Sequence, residues 1–148
     1  MSSREVRRHN QTVLESLEPG DLVQIRCRCY WHWAVYVGDN QVVHLSVVDG
    51  PMGSNIELSC SICGQEFNKG IVRKDGFWEV VGDGKAYKNN SKDKTMRPLE
   101  PSEIVERAKS KIGEVGYNVI FKNCEHFATG CRYDKKKVIR LIVCLVAA

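Results

Sequence analysis

The chain carries the parts of a thiol nucleophile: a cysteine in Asn123-Cys124-Glu125-His126-Phe127, and two histidines, His32 and His44, upstream. A cysteine attacks ester and amide carbonyls once a neighbouring base takes its proton, and a further polar group that holds the base completes such a site. Cys124, Phe127, Ala128 and Cys131 fall at i, i+3, i+4 and i+7, the stripe that a helix turns toward a core, and Asn123 before them is a good N-cap residue. A first-turn cysteine lies near unpaired backbone N–H groups and the positive end of the helix dipole. That predicts a lowered thiol pKa and donors for an oxyanion. The plainer alternative is a small buried hydrophobe, the usual state of a single cysteine on a helix face.

The histidines need a scaffold that brings them together. His32-Trp33-Ala34-Val35-Tyr36-Val37 and Gln41-Val42-Val43-His44-Leu45 are rich in β-branched and aromatic residues, and Gly38-Asp39-Asn40 separates them, which predicts two antiparallel strands. A three-residue loop over positions 38–40 sets Val37 opposite Gln41 and Ala34 opposite His44. The histidines are then diagonal neighbours on one face, roughly 7–8 Å apart at Cα. A register different by one residue would send them to opposite faces. His126, two residues after Cys124 on a helix, points about 200° away from it and is not expected to be the base. His9 reads as solvated.

At 148 residues, with 43% hydrophobic and 27% charged residues, the chain has enough apolar sequence for one soluble domain with a core. Seven cysteines, with an opening Met-Ser-Ser-Arg-Glu-Val-Arg-Arg that lacks an apolar stretch, predict reduced thiols and a cytoplasmic location. Cys27-x-Cys29 and Cys60-x-x-Cys63 are the only candidates for a structural zinc, but the first spacing is wrong for a knuckle, so neither a metal nor a cofactor is expected. The net charge of +4 is modest but clustered, with Arg4, Arg7 and Arg8 at one end and Arg132, Lys135, Lys136, Lys137 and Arg140 at the other. Without interleaved aromatics these do not suggest nucleic acid. The second cluster runs into the 11 apolar-rich residues Val138 to Ala148, against the roughly 20 that span a bilayer. A peripheral contact with an anionic membrane surface is expected there.

Residues 1–17 are expected as a short, partly helical appendage, 18–134 as the catalytic domain and 135–148 as the membrane-contact segment. Within the domain, Asp21 to Ile25 predicts a strand before the hairpin, and the Gly-, Ser- and Asn-rich stretch from Val47 to Gly70 a loop that lies beside the site as a lid. Ile71-Val72 and Phe77-Trp78-Glu79-Val80-Val81 predict strands, and Lys88 to Lys94 a loop. A helix follows Pro101, with Ile104, Val105, Ala108 and Ile112 on one face and Gly113 at its end. A strand from Tyr117 to Phe121 precedes the Cys124 helix. Strands first and helices later make an α+β pattern with an antiparallel sheet packed against helices.

Asp21-Leu22-Val23, His32-Trp33-Ala34-Val35-Tyr36-Val37-Gly38-Asp39, Val43-His44-Leu45 and Asn123-Cys124-Glu125-His126-Phe127 together resemble the lecithin:retinol acyltransferase-like family, and within it the small phospholipase A/acyltransferases. The likeness continues through Asn89-Asn90, Pro98-Leu99, Ile104-Val105-Glu106-Arg107-Ala108 and Arg132-Tyr133, so it covers roughly Pro19 to Tyr133. The resemblance implies a circularly permuted papain-like (NlpC-type) fold. It implies Cys124 as nucleophile, His32 as general base and His44 as the orienting residue, acting on glycerophospholipids through an acyl-thioester. The acyl chain then goes to water, to an amine such as that of phosphatidylethanolamine, or to a lysolipid. The retinol-specific members carry an insertion that this chain lacks, which argues against retinol as acceptor. Similar motifs in some picornaviral non-structural proteins make a catalytically idle interaction module the alternative, and a cysteine peptidase is a weaker rival.

Overall fold

Successive residues of a β-strand point to opposite faces, so a strand that is apolar at every position must be covered on both sides. The computed structural model describes residues 2–27, 30–47, 67–119 and 121–133, and there the strands β1 (Leu22–Arg26), β2 (Trp31–Gly38), β3 (Gln41–Val47), β4 (Phe67–Gly76), β5 (Lys85–Lys88) and β6 (Val115–Val119) form one sheet. Its order is β5-β1-β2-β3-β4-β6, every neighbouring pair antiparallel. Leu22, Trp33, Val35, Val43, Leu45 and Val72 pack on one side with α3 (Pro101–Ser110) and α4 (Phe121–Arg132), through Ile104, Ala108, Cys124, Ala128 and Cys131. Val23, Ile25, Ala34, Tyr36 and Val42 alternate to the other side and meet α1 (Ser3–Ser16) and α2 (Phe77–Val81) through Leu14, Phe77, Val80 and Val81. The expected α+β class holds.

The hairpin reaches the expected pairing of Ala34 with His44 by a different route. The turn has two residues, Asp39 and Asn40, with φ of 53° and 58°. Two successive left-handed residues match the twist of the flanking strands, and Asp and Asn tolerate that conformation better than most side chains. Gln41 therefore pairs with Gly38 instead of Val37, and a register shift between Tyr36 and Gly38 absorbs the extra residue.

Several expectations are corrected. Phe77–Val81 is helical, not a strand. Phe77, Val80 and Val81 also fit i, i+3, i+4, and so short an apolar run does not distinguish the two periods; the bond from Phe77 N–H to Asn40 O starts the helix. Lys85–Lys88 is an edge strand that takes in Lys88, expected as the start of a loop, and its flanking lysines suit an exposed sheet edge. Gly84 precedes it because a Cβ there would meet Arg26 O and Ile25 Cγ2, each at 2.8 Å. Strand β4 begins at Phe67 and β6 at Val115, both earlier than expected, where the two strands pair with each other, and Phe121 belongs to α4 instead of β6. Helix α3 stops at Ser110, leaving Ile112 exposed before Gly113 at φ 92°.

The N-terminal segment is tied to the sheet. Ser2 and Glu5 form a reciprocal capping box that starts α1. Buried Asn10 donates to Gly84 O at 2.9 Å and accepts from Ala86 N–H at 2.8 Å. His9, expected to be solvated, has its Nε2 2.8 Å from Ala86 O. The segment 135–148, expected to contact a membrane, and most of the expected lid (48–66) lie outside the described residues.

Candidate active site

Ala34 opposite His44 places His32 one diagonal step away, and the two imidazoles meet edge to face with His32 Nε2 2.8 Å from His44 Nδ1. The expected shared face is thus observed. Both rings are buried, at 9% and 6% exposure, deep enough for burial to govern their protonation. Taking an imidazolium out of water is costly, so His32 is pushed down to about 3, by burial first and by His44 second. His44 is also lowered by burial, while its bond to Asp75 and that residue's charge oppose the shift and Arg73 adds to it. Both rings are neutral near pH 7.

Asp75 was not among the expected site residues. His44 pairs with Arg73 on β4, so Asp75 is again one diagonal step on, and its Oδ2 lies 2.8 Å from His44 Nε2. Arg73 Nη2 approaches Oδ1 of the same carboxylate at 3.4 Å. The chain of contacts crosses three neighbouring strands, β2 to β3 to β4. The sequence signal was alternation in Arg73-Lys74-Asp75, legible only once the β3–β4 register is known.

Cys124 lies in α4, packed against β2 and β3 among Trp33, Val35, Val43 and Leu45. The helix begins at Phe121, so Asn123 is its third residue and not the expected cap. A cap preference is worth about 1 kcal/mol, small beside the packing of a whole apolar stripe on a sheet. The stripe itself holds, with Ala128 and Cys131 buried and His126 exposed. Cys124 Sγ donates to Leu45 O at 3.8 Å. Among the described residues it makes no hydrogen bond to either imidazole: by strand alternation His32 and His44 share the face of Ala34 and Tyr36, whereas the sulfur packs on the opposite face, with Trp33, Val35, Val43 and Leu45.

The expected lowering of the thiol pKa is overturned. Burial, at 5% exposure, pushes Cys124 up to about 12, with a further rise from Cys27; its own amide and that of Trp33 pull the other way without prevailing. Desolvation outweighs the helix terminus because a buried anion loses far more hydration than a few amides restore. At rest the thiol is therefore protonated and both imidazoles are neutral. Among the described residues no group of three or more His, Cys, Asp or Glu is placed to hold a metal ion. Cys29, Cys60 and Cys63 lie outside them.

The fold is thus an antiparallel sheet between helices, with a histidine pair on the central hairpin and a cysteine on a helix packed against the sheet. Residues 15–137 match the family described as lecithin retinol acyltransferase, and the chain belongs to that family of enzymes. It is 36% identical over 132 residues to human phospholipase A and acyltransferase 3, covering 88% of this chain and 80% of that protein. It is 39% identical over 119 residues to rat phospholipase A and acyltransferase 1 (79% and 68% covered), and 40% over 116 residues to human phospholipase A and acyltransferase 2 (77% and 69%).

Proposed function

We propose that this chain is a phospholipid acyl-transferring and hydrolysing enzyme that works through a thioester on Cys124. The observation that carries the reading is the hydrogen-bonded His32–His44 pair on the two strands against which Cys124 is packed. The names of the relatives supply the substrate class.

In this reading the Cys124 proton passes to His32 Nδ1, the nitrogen not used in the bond to His44, as the sulfur forms its bond to the ester carbonyl carbon. Proton loss and S–C bond formation proceed together, so a thiol held well above neutrality need never exist as a free thiolate. Collapse of the tetrahedral centre breaks the carbon–oxygen bond. The proton on His32 goes to the departing lysolipid oxygen, leaving an acyl-thioester. Water, an amine such as that of phosphatidylethanolamine, or a lysolipid hydroxyl then attacks, and His32 takes the nucleophile's proton and returns one to sulfur. His32 shares a face of β2 with Ala34 and Cys124 packs on the face of Trp33 and Val35, so this transfer requires Cys124 Sγ and His32 Nδ1 to be brought together in the substrate complex.

No described helix is long and apolar enough to cross a membrane. We assign the meeting with lipid to Lys135, Lys136, Lys137 and Arg140 beside the apolar residues from Val138, as a reversible contact with anionic headgroups.

Intact-protein mass spectrometry after incubation with a short-chain phosphatidylcholine tests the chemistry. The expected result is an acyl adduct mapped to Cys124, released by hydroxylamine and absent from Cys124→Ala. Fatty-acid release by Cys124→Ala at the wild-type rate would overturn the nucleophile assignment. A wild-type protein inert toward both choline and ethanolamine phospholipids would favour the idle interaction module.

A further inference from the structure

A neutral imidazole is useful as a base only if the correct nitrogen is bare, and an imidazole next to another imidazole does not by itself fix which nitrogen that is. Asp75 resolves the ambiguity. An ionised carboxylate can only accept, so the 2.8 Å contact between Asp75 Oδ2 and His44 Nε2 requires a proton on that nitrogen. Neutral His44 then has a bare Nδ1. The 2.8 Å contact between that atom and His32 Nε2 must in turn be donated by His32. A proton on His32 Nε2 leaves His32 Nδ1 unprotonated. One carboxylate on β4 thus sets the tautomers of two rings on β3 and β2.

We propose that Asp75 is a positioning residue of the catalytic site, which acts through His44 to keep His32 in the tautomer whose Nδ1 can receive the thiol proton. The proposal rests on the reading of His32 as general base. The same chain of contacts also accommodates the charge that develops when His32 is protonated, because the positive charge then lies two hydrogen bonds from a carboxylate. His44 alone is neutral and could not offset it. Arg73 completes the device from the far side. Its contact with Oδ1 leaves Oδ2 for His44. Asp75 itself is only 19% exposed at its side chain, so its bond to His44 is largely shielded from competing water.

Asp75→Asn is the informative substitution because it keeps the shape. With Arg73 still seeking an oxygen, the new amide turns its NH₂ toward His44, which must then accept at Nε2 and carry its proton on Nδ1. His32 is thereby forced to accept at Nε2 and loses its bare Nδ1. Long-range ¹⁵N–¹H correlation spectra of the imidazoles in the free protein read this directly, independently of any activity. The expected wild-type result is an Nε2–H tautomer on both rings, and the expected result in Asp75→Asn is an Nδ1–H tautomer on both. For a short-chain phospholipid, kcat should fall by about 10²–10⁴-fold with KM changed less than about threefold, as expected when a base is held in the wrong tautomer. Asp75→Glu, which restores the acceptor, should recover the Nε2–H tautomers and at least about a tenth of wild-type kcat.

A wild-type His32 protonated on Nδ1 would overturn the proposal, and that measurement needs no variant to fold. It would also be overturned if the tautomers switch while kcat stays within about twofold of wild type, or if kcat collapses with the tautomers unchanged. A Cys124→Ala protein that keeps full activity would defeat the functional reading instead, whatever the spectra show of Asp75.

Discussion

Two polar networks lie at different places in this fold, and they use similar parts for opposite ends. One runs His32–His44–Asp75 across three strands. The other joins Arg132 and Tyr133, at the end of α4, to Asp93: Arg132 Nη2 donates to Asp93 Oδ2 at 2.7 Å, Arg132 Nε to Oδ1 at 3.1 Å, and Tyr133 Oη to Oδ1 at 2.6 Å. Arg132 Nη1 also donates to Gly20 O at 2.9 Å. The hydrogen bond from Arg132 holds Asp93 below the usual carboxylate range, whereas burial and then the bond to Asp93 push Tyr133 up to about 12. Each of these groups is fixed in one protonation state, which suits a clamp between the end of α4 and the segment that leads into β1. In the histidine network the central groups are neutral and each can gain a proton. Hydrogen bonding to a full charge makes a rigid joint; hydrogen bonding between neutral rings leaves a path for a proton.

The sharpest contrast comes from removing the centre of each network. His32→Ala should lower acyl-enzyme formation by about 10³-fold while leaving the melting temperature nearly unchanged or raised, since a general base contributes in that range and a buried imidazole is costly to keep. Arg132→Ala should do the reverse. It removes the hydrogen bonds to Asp93 and Gly20, and should cost about 2 kcal/mol of stability in urea unfolding with turnover per folded molecule retained. If both variants lose activity in proportion to folded protein, the distinction between relay and clamp fails.

A smaller effect should separate the networks by pH. Folded His32 stays neutral down to about pH 3, whereas in the unfolded chain it titrates near 6.5, so between those values the unfolded state binds the extra proton. Stability should therefore fall as pH drops from about 7, and His32→Asn should lose part of that slope. The lowered Asp93 acts with a different window. Its contribution is complete above the ordinary carboxylate pKa and is lost only as pH falls through the lower folded value, so Asp93→Asn should alter the slope below about pH 4 alone. Chemical denaturation of the three proteins from pH 7 to 3 decides this, and identical slopes throughout would mean that His32 is not kept neutral by the fold.

Alkylation probes the resting thiol. Cys124, buried and protonated, should react with iodoacetamide at pH 7 more slowly than the partly exposed Cys27 and should accelerate as pH rises past 9. Faster labelling of Cys124 than of Cys27 at neutral pH would show that the sulfur is activated before substrate arrives. The smallest effect belongs to Tyr133→Phe, which removes one hydrogen bond to an ionised partner. It should cost about 1.5 kcal/mol in urea unfolding with kcat and KM unchanged; a change in kcat would link the clamp to the site.

Much of this was legible in the chain itself. The apolar runs around His32 and His44 fixed a hairpin, the i, i+3, i+4, i+7 stripe fixed a helix carrying Cys124, and both follow from local periodicities that packing then used. The family likeness added which residue types to weigh together. Local pattern misled where two periods fit equally well, as at Phe77–Val81, and where pairing partners extended a strand, as at Phe67 and Val115.

What the sequence determined by itself was the identity and approximate placement of Cys124, His32 and His44, because strand and helix periods depend on neighbours in the chain. Tertiary structure alone decided three things. Asp75 joined the histidines through a β3–β4 register spanning more than thirty positions, set by pairing and not by any local signal. Arg132 and Tyr133 met Asp93 about forty residues away, at a corner that exists only after α4 docks. The thiol pKa rose instead of falling because the helix terminus is a local property, written in a few residues, whereas desolvation of Cys124 is the sum of everything the fold places around it.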